Sequence, residues 1–141
     1  MTAVNAFNGE TILVKIGNGA TPEVFTVRCM INLDRGISQQ ANMVETSVPD
    51  CDDPGAPAWI EREKDTLSVT IDGSGVCHQS DVAFFNNWLR NKNTKNIKVF
   101  LPNNEKWFGA FHLTQFDVTG TRKQKAQAKM TFMSDGEITY G

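Results

Sequence analysis

The residues from Thr66 to Leu89 change their hydrophobic period midway. Apolar Leu67, Val69 and Ile71 alternate with polar residues, which is the two-residue period of a strand with one buried face. After the run Asp72-Gly73-Ser74-Gly75, the period becomes helical. The pattern predicts a strand, a tight glycine turn, and a helix that covers the core of a β-rich fold.

The predicted helix begins after Ser80, a residue type that commonly caps a helix N-terminus. Asp81 in its first turn and Arg90 in its last turn suit the helix dipole. Its apolar residues recur at spacings of three and four, and a wide apolar stripe of this kind is typical of a helix packed on a sheet. We therefore expect core packing, and not a partner-binding role, for Val82, Phe85, Trp88 and Leu89.

Five other segments show strand patterns: residues 11–16, 24–33, 96–101, 107–118 and 124–134. The first two lie on either side of a glycine-containing turn and are predicted to form an antiparallel hairpin. In the fourth, the apolar positions change phase near Thr114-Gln115, which is typical of a β-bulge. The predicted fold class is mainly β (α+β): an antiparallel β-sandwich or partial barrel with one flanking helix.

Residues 34–65 read as a long irregular loop with three prolines and no sustained period, apart from a short strand pattern over residues 43–48. Connections of this length are commonly functional or disordered. A floppy insertion and a segment that orders on a partner both remain open, and the second is favoured because apolar and aromatic anchors are typical of interfaces. With three residues nearer the chain ends, the predicted interface residues are Ile37, Met43, Val44, Val48, Trp59, Ile60, Phe7, Ile138 and Tyr140.

Length and composition predict a single domain over residues 1–141, because 40% of the residues are hydrophobic and 21% are charged. A net charge of −2 gives no reason to expect a phosphate-binding surface across the whole chain. Three cysteines without paired spacing argue against a disulfide framework and favour a reducing cytoplasm. No stretch approaches the ~20 apolar residues of a membrane helix, and the N-terminus has no secretory pattern.

The candidate cofactor-binding, catalytic and metal-binding motifs do not have the residue spacing that each kind of site requires. The run Gly73-Ser74-Gly75 lacks the third glycine of a dinucleotide-binding turn, because His78 occupies that position. Cys77 and His78 are adjacent, so they point to different sides, and no further metal ligands follow at a recognisable spacing. Asp50, Asp52 and Asp53 do not match the pattern of a calcium-binding loop. We therefore predict no cofactor, no metal and no catalytic residue, and find no positive case for an enzyme.

The order of the elements and two sequence strings resemble a known family. The strings are residues 69–76, VTIDGSGV, and residues 107–116, WFGAFHLTQF, in which a glycine and bulky residues precede an alternating run. With these features the chain resembles the major tail (tail tube) proteins of long-tailed, non-contractile phages and gene transfer agents. The resemblance covers nearly the whole chain.

The resemblance implies a structural virion protein whose hexameric rings stack into a tube for DNA delivery. The implied partners are further copies of the chain, tape-measure and tail-terminator proteins, and double-stranded DNA that passes through the lumen without specific binding. The implied location is the virion tail, assembled in the host cytoplasm, with no membrane contact. The long loop would then act as a latch that orders on an adjacent subunit or ring.

Two alternatives remain. The first is a small ligand-binding β-barrel, which would keep an open interior, whereas the helix aromatics Phe84, Phe85 and Trp88 should fill this one. The second is a protein of related fold: a tail terminator, a connector, or the inner-tube protein of a secretion system. A terminator or connector would differ from a tube subunit in not polymerising by stacking.

Overall fold

A computed structural model describes residues 3–141. This part of the chain contains eight strands, one α-helix and a short 3₁₀ helix. The elements are the 3₁₀ helix Gly9–Thr11, β1 Leu13–Gly17, β2 Phe25–Val27, β3 Asp34–Ser47, β4 Ile60–Val76, α1 Gln79–Arg90, β5 Lys95–Phe100, β6 Lys106–Thr119, β7 Gln127–Ser134 and β8 Thr139–Tyr140.

The strands of the described residues form one sheet in the order β2-β1-β5-β6-β7-β4-β3, and β8 also pairs with β6. The pairs of β1 with β2 and β5, of β6 with β5, β7 and β8, and of β4 with β7 are all antiparallel. Within residues 3–141 the sheet is not closed, because β2 and β3 lie at its opposite ends. The predicted fold class, mainly β and antiparallel with one flanking helix, is confirmed.

The chain divides into two compact units. We call the first the body; it comprises the residues up to Ser38 together with Val69–Gly141. We call the second the arm; it comprises Gln39–Ser68. The single domain over residues 1–141 stays a prediction.

The arm is built from the adjoining parts of β3 and β4, with residues 48–59 between them. Asn42 Nδ2 donates to Thr66 Oγ1 at 2.8 Å, and Arg62 Nε donates to Glu45 Oε1 at 2.9 Å, so the two strands run antiparallel.

The predicted irregular loop over residues 34–65 is therefore wrong for most of its length, since only residues 48–59 lie outside a strand. The physical reason is burial: β3 and β4 are exposed on both faces throughout the arm. Strands that bury neither face carry no hydrophobic alternation that would mark them in the sequence.

The core of the body lies between α1 and one face of the sheet. Phe85 and Trp88 are buried, and their rings lie 6.5 and 5.3 Å from the ring of Phe132, between centroids. Val82 and Leu89 are half-buried and pack against this core. The buried apolar residues are Val14, Ile16, Met30, Ile31, Val69, Ile71, Phe85, Trp88, Ile97, Val99, Phe111, Leu113, Ala128, Met130 and Phe132.

Several local predictions can be compared with the elements. The antiparallel β1–β2 hairpin is confirmed, as is the β-bulge, which shifts the β6–β7 register between Leu113 and Gln115. The predicted second strand over residues 24–33 is wrong beyond Val27, because the chain turns there and buries Met30 and Ile31. The helix begins earlier than predicted, with His78 at the N-cap position in place of Ser80.

The predicted tight turn at Gly73-Ser74-Gly75 is also wrong, because β4 continues through it to Val76. A Cβ on Gly75 would lie 2.6 Å from the carbonyl oxygen of Met30, and one on Gly73 would lie 3.0 Å from Cγ2 of Ile31. The glycines therefore let residues 30–33 cross close to the strand. Asn32 fastens this crossing, since its amide accepts from Val76 N–H at 2.9 Å and donates to Val76 C=O at 3.0 Å.

Candidate assembly surfaces

The structure separates the nine predicted interface residues into two groups. Ile37 and Ile138 are half-buried and pack against the body core. The other seven are exposed: Phe7, Met43, Val44, Val48, Trp59, Ile60 and Tyr140. Their role in an interface stays a prediction.

Six of the 14 exposed large apolar side chains among residues 3–141 lie in the arm, Gln39–Ser68. Trp59 is 89% exposed, and Met43, Val44, Val48 and Ile60 are also open to solvent. A concentration of exposed apolar side chains in so small a unit is typical of a surface that contacts another molecule.

Leu67 belongs to the same exposed set, and sequence reasoning missed it. Its alternation with Val69 and Ile71 predicted one continuous buried face, but Leu67 is 77% exposed and burial begins only at Val69. The alternation continues across the point where the strand leaves the body, and no local signal marks that point.

The arm is also strongly acidic. Its acidic residues are Glu45, Asp50, Asp52, Asp53, Glu61, Glu63 and Asp65, and its basic residues are Arg62 and Lys64.

The three acidic residues nearest the C-terminal end of the arm form a row. Glu61, Glu63 and Asp65 alternate along β4, so they share one face of the strand. Arg62 lies on the opposite face and pairs with Glu45 at 2.9 Å. In the part of the chain that the structure describes, no Lys, Arg or His nitrogen lies within 4.0 Å of the three carboxylates of the row. We call Glu61, Glu63 and Asp65 the acidic row.

A second charged surface lies on the body, on the side of β1, β5 and β6 that faces away from the core. Lys15 alternates with the buried residues Val14 and Ile16, and Lys98 with Ile97 and Val99. Lys15 lies directly opposite Lys98 in the β1–β5 register.

Aromatic rings lie between these lysines. Lys98 Nζ is 4.1 Å from the ring centroid of Phe25, Lys15 Nζ is 4.9 Å from that of Phe100, and Lys106 Nζ is 5.8 Å from the same ring. We call the surface formed by Lys15, Lys98, Lys106, Phe25, Phe100 and Phe108 the lysine face. Sequence reasoning missed it, because it depends on the register between strands that are far apart in the chain.

A polar surface covers the outward side of β4, β7 and the C-terminal part of β6. Two grooves of about 460 and 440 Å³ lie there and share Ser74 and Lys129 in their linings. Asp72 lines the first groove and Asp117 the second, and Thr131 Oγ1 donates to Asp72 Oδ1 at 3.2 Å. The surface carries charges of both signs.

The ionisable side chains that could take part in chemistry make structural contacts instead. Asp81 is buried in the first turn of α1, and its Oδ1 lies 3.7 Å from Nη1 of Arg28. Tyr140 donates a hydrogen bond to Glu105, and this bond raises the pKa of the phenol above its usual value of 10.0. Among residues 3–141, no group of three or more His, Cys, Asp or Glu side chains could hold a metal ion. Nor does any helix in these residues have the length and apolar character needed to cross a membrane.

A family model described as "Phage tail tube protein" matches residues 6–140, which is nearly the whole chain. The chain belongs to the phage tail tube protein family. This membership confirms the resemblance drawn from the two sequence strings. It also favours the tube subunit over the ligand-binding barrel, as does the unclosed sheet whose interior Phe85 and Trp88 fill. No curated protein sequence matches the chain.

Solved tail and tube structures share the fold. A chain of the tail of an empty gene transfer agent particle, determined with helical refinement and C6 symmetry, has a TM-score of 0.76 and 20% identity, covering 96% of this chain and 99% of that chain. A chain of the SPP1 tail tube has a TM-score of 0.65 and 8% identity, covering 96% and 79%. A chain of the PVC extracellular contractile injection system, in its extended sheath–tube complex, has a TM-score of 0.62 and 13% identity, covering 97% and 92%.

Proposed function

We propose that this tail tube protein forms hexameric rings that stack into the conduit of a tail. The observation that carries the proposal is the unclosed sheet of residues 3–141, which ends on β2 and β3. A sheet edge presents unpaired backbone N–H and C=O groups, and pairing with a neighbouring subunit satisfies them. A head-to-tail contact that closes by rotation produces a ring, and stacking then continues as an open filament. The C6 symmetry of the similar gene transfer agent tail supports six copies per ring.

The arm is the proposed contact between adjacent copies. Its apolar side chains, including Trp59 and Ile60, stay exposed in the isolated subunit and would become buried against a neighbour. In this role the arm acts as a latch, since assembly requires it to settle on another copy. Burial of aromatic and aliphatic anchors supplies most of the binding energy in interfaces of this kind.

The proposed cargo is double-stranded DNA, which passes through the lumen without specific binding. The net charge of −2 gives the chain as a whole no attraction for phosphates, which supports a lumen in which DNA slides. Tape-measure and tail-terminator proteins are the further proposed partners. The role is structural, with no catalytic step, and the location is the virion tail. Assembly in the reducing cytoplasm of the host suits the three cysteines, which are free.

The arm is tested by replacing residues 43–65 with Asn-Gly. The side chains of Asn42 and Thr66 are hydrogen-bonded at 2.8 Å, so a two-residue turn can join the strands there. We expect a folded monomer that forms no tubes, measured by sedimentation velocity over a range of concentrations. Circular dichroism and a cooperative thermal transition serve as the control for folding. Tube formation by the trimmed protein at the wild-type concentration would contradict the role of the arm.

A further inference from the structure

We propose that the acidic row of one copy docks on the lysine face of the next copy. In this contact Glu61, Glu63 and Asp65 lie against the ammonium groups of the lysine face. The inference rests on the proposed function, because it names the surface that receives the arm in the assembled tube.

The lysine face places two like charges next to each other. Lys15 and Lys98 are directly opposite each other on neighbouring strands, and like charges in that position destabilise a sheet. Within residues 3–141, no carboxylate oxygen lies within 4.0 Å of the ammonium nitrogen of Lys15, Lys98 or Lys106. All three lysines are half-buried, so water screens their charges less than on an open surface. A local arrangement that opposes folding is expected where a partner uses it.

The acidic row matches this arrangement in sign and in spacing. Alternate residues of a strand are about 7 Å apart, which sets the distance between Glu61 and Glu63 and between Glu63 and Asp65. Cross-strand neighbours such as Lys15 and Lys98 are about 5 Å apart, and diagonal neighbours are about 7–8 Å apart. The flexible stems of the lysines cover the remaining difference. Three carboxylates and three ammonium groups therefore meet without leaving a buried charge unpaired.

Apolar groups on the two surfaces also correspond. Trp59 directly precedes β4, and Leu67 continues the face of the acidic row beyond Asp65; both side chains are exposed. Phe25, Phe100 and Phe108 are half-buried between the lysines, so each ring keeps an accessible part. Contact between these aromatic and aliphatic groups would form the dehydrated centre that strong interfaces need, with the charge pairs around it.

A second copy of the chain explains the lysine face better than nucleic acid does. The chain has 16 acidic and 14 basic residues, of which the arm holds seven and two, so nine acidic and twelve basic residues lie outside the arm. The two units thus have opposite net charges, which favours contact between the arm of one copy and the body of another. A phosphate backbone would satisfy the lysines but would offer no apolar contact to Trp59 and Leu67.

The test reverses the charge of two of the three lysines in the lysine face. In the variant Lys98→Glu with Lys106→Glu, the new carboxylate at position 98 lies opposite Lys15, and this opposite-charge pair is expected to maintain the stability of the body. Lys125→Glu is the matched control, because Lys125 is exposed in the turn before β7 and lies outside the lysine face. Each protein is assembled at several concentrations, and tubes are separated from subunits by sedimentation.

We expect the face variant to raise the concentration needed for tube formation at least about tenfold, whereas Lys125→Glu leaves it unchanged. Reversing the row with Glu61→Lys, Glu63→Lys and Asp65→Lys should have the same effect in otherwise wild-type protein. Combining the face and row reversals should restore assembly in part, because two of the three positions on the face are then again opposite in sign to the row, whereas Lys15 keeps its charge.

Three outcomes would overturn the inference: unchanged assembly of the face variant, a combined variant that assembles no better than the row variant alone, or a face variant that assembles normally but binds duplex DNA less well than the wild-type subunit does. The last outcome would identify the lysine face as a phosphate-binding surface. If the wild-type protein itself forms no rings or tubes, the proposed function fails first, so the two failures are distinguishable.

Discussion

Gly75 lets two distant parts of the body, residues 30–33 and β4, pack closely because it has no side chain. The carbonyl oxygen of Met30 lies too close for a Cβ on Gly75 to fit, and Asn32 hydrogen-bonds both the N–H and the C=O of Val76. The side chain of Asn32 thus takes the place of a strand partner at the end of β4. Substitution of Gly75 would displace residues 30–33, which bring Met30 and Ile31 into the core.

We predict that Gly75→Ala lowers the free energy of unfolding of the subunit by about 1–3 kcal/mol, the usual cost of inserting a methyl group into a packed site. Urea denaturation followed by tryptophan fluorescence measures the change. Gly120→Ala is the control, since no heavy atom lies within 4 Å of its added Cβ. An equal, negligible effect of both substitutions would show that residues 30–33 are not held against β4.

Helix α1 and the arm each contain a tryptophan, and the two side chains differ in their exposure to solvent. Trp88 on α1 is 3% exposed and packs on Phe132, whereas Trp59, which directly precedes β4 in the arm, is 89% exposed. The helix therefore supports the fold of the subunit. The arm, by contrast, is proposed to contact a neighbouring subunit.

The paired substitutions Trp88→Ala and Trp59→Ala should separate these roles. Trp88→Ala is expected to lower the free energy of unfolding by about 3–5 kcal/mol, because it leaves a cavity beside Phe132. Trp59→Ala is expected to change it by less than about 0.5 kcal/mol, because the ring is solvated, and yet to weaken assembly. Denaturation and sedimentation measure the two quantities. A stable Trp88→Ala protein would exclude α1 as the main core element.

The elements differ in how far the sequence predicts them. Helix α1, the β1–β2 hairpin and the bulge after Leu113 were predictable because each buries one face and leaves a periodic pattern. The arm strands were not, because they bury neither face. The lysine face was not predictable either, because its charges come together through pairing between β1 and β5.

At the scale of the whole molecule, the subunit has open sheet edges and regions of opposite charge, and a neighbouring copy can pair with both. The sheet of residues 3–141 ends on two edge strands, β2 and β3, each of which is paired on one side only. The acidic arm and the basic residues outside it have complementary signs. Since the complementary surfaces differ, the contact they favour is head-to-tail, which produces a ring where its rotation closes and an open filament where it does not.

The central claim is that the subunits form rings of six that stack into a tube. Negative-stain electron microscopy of the purified, concentrated protein tests it most directly. We predict end-on views with sixfold rotational symmetry and side views of tubes with a regular axial repeat. A strictly monomeric protein at every concentration and salt condition, or rings of a different symmetry, would contradict the account.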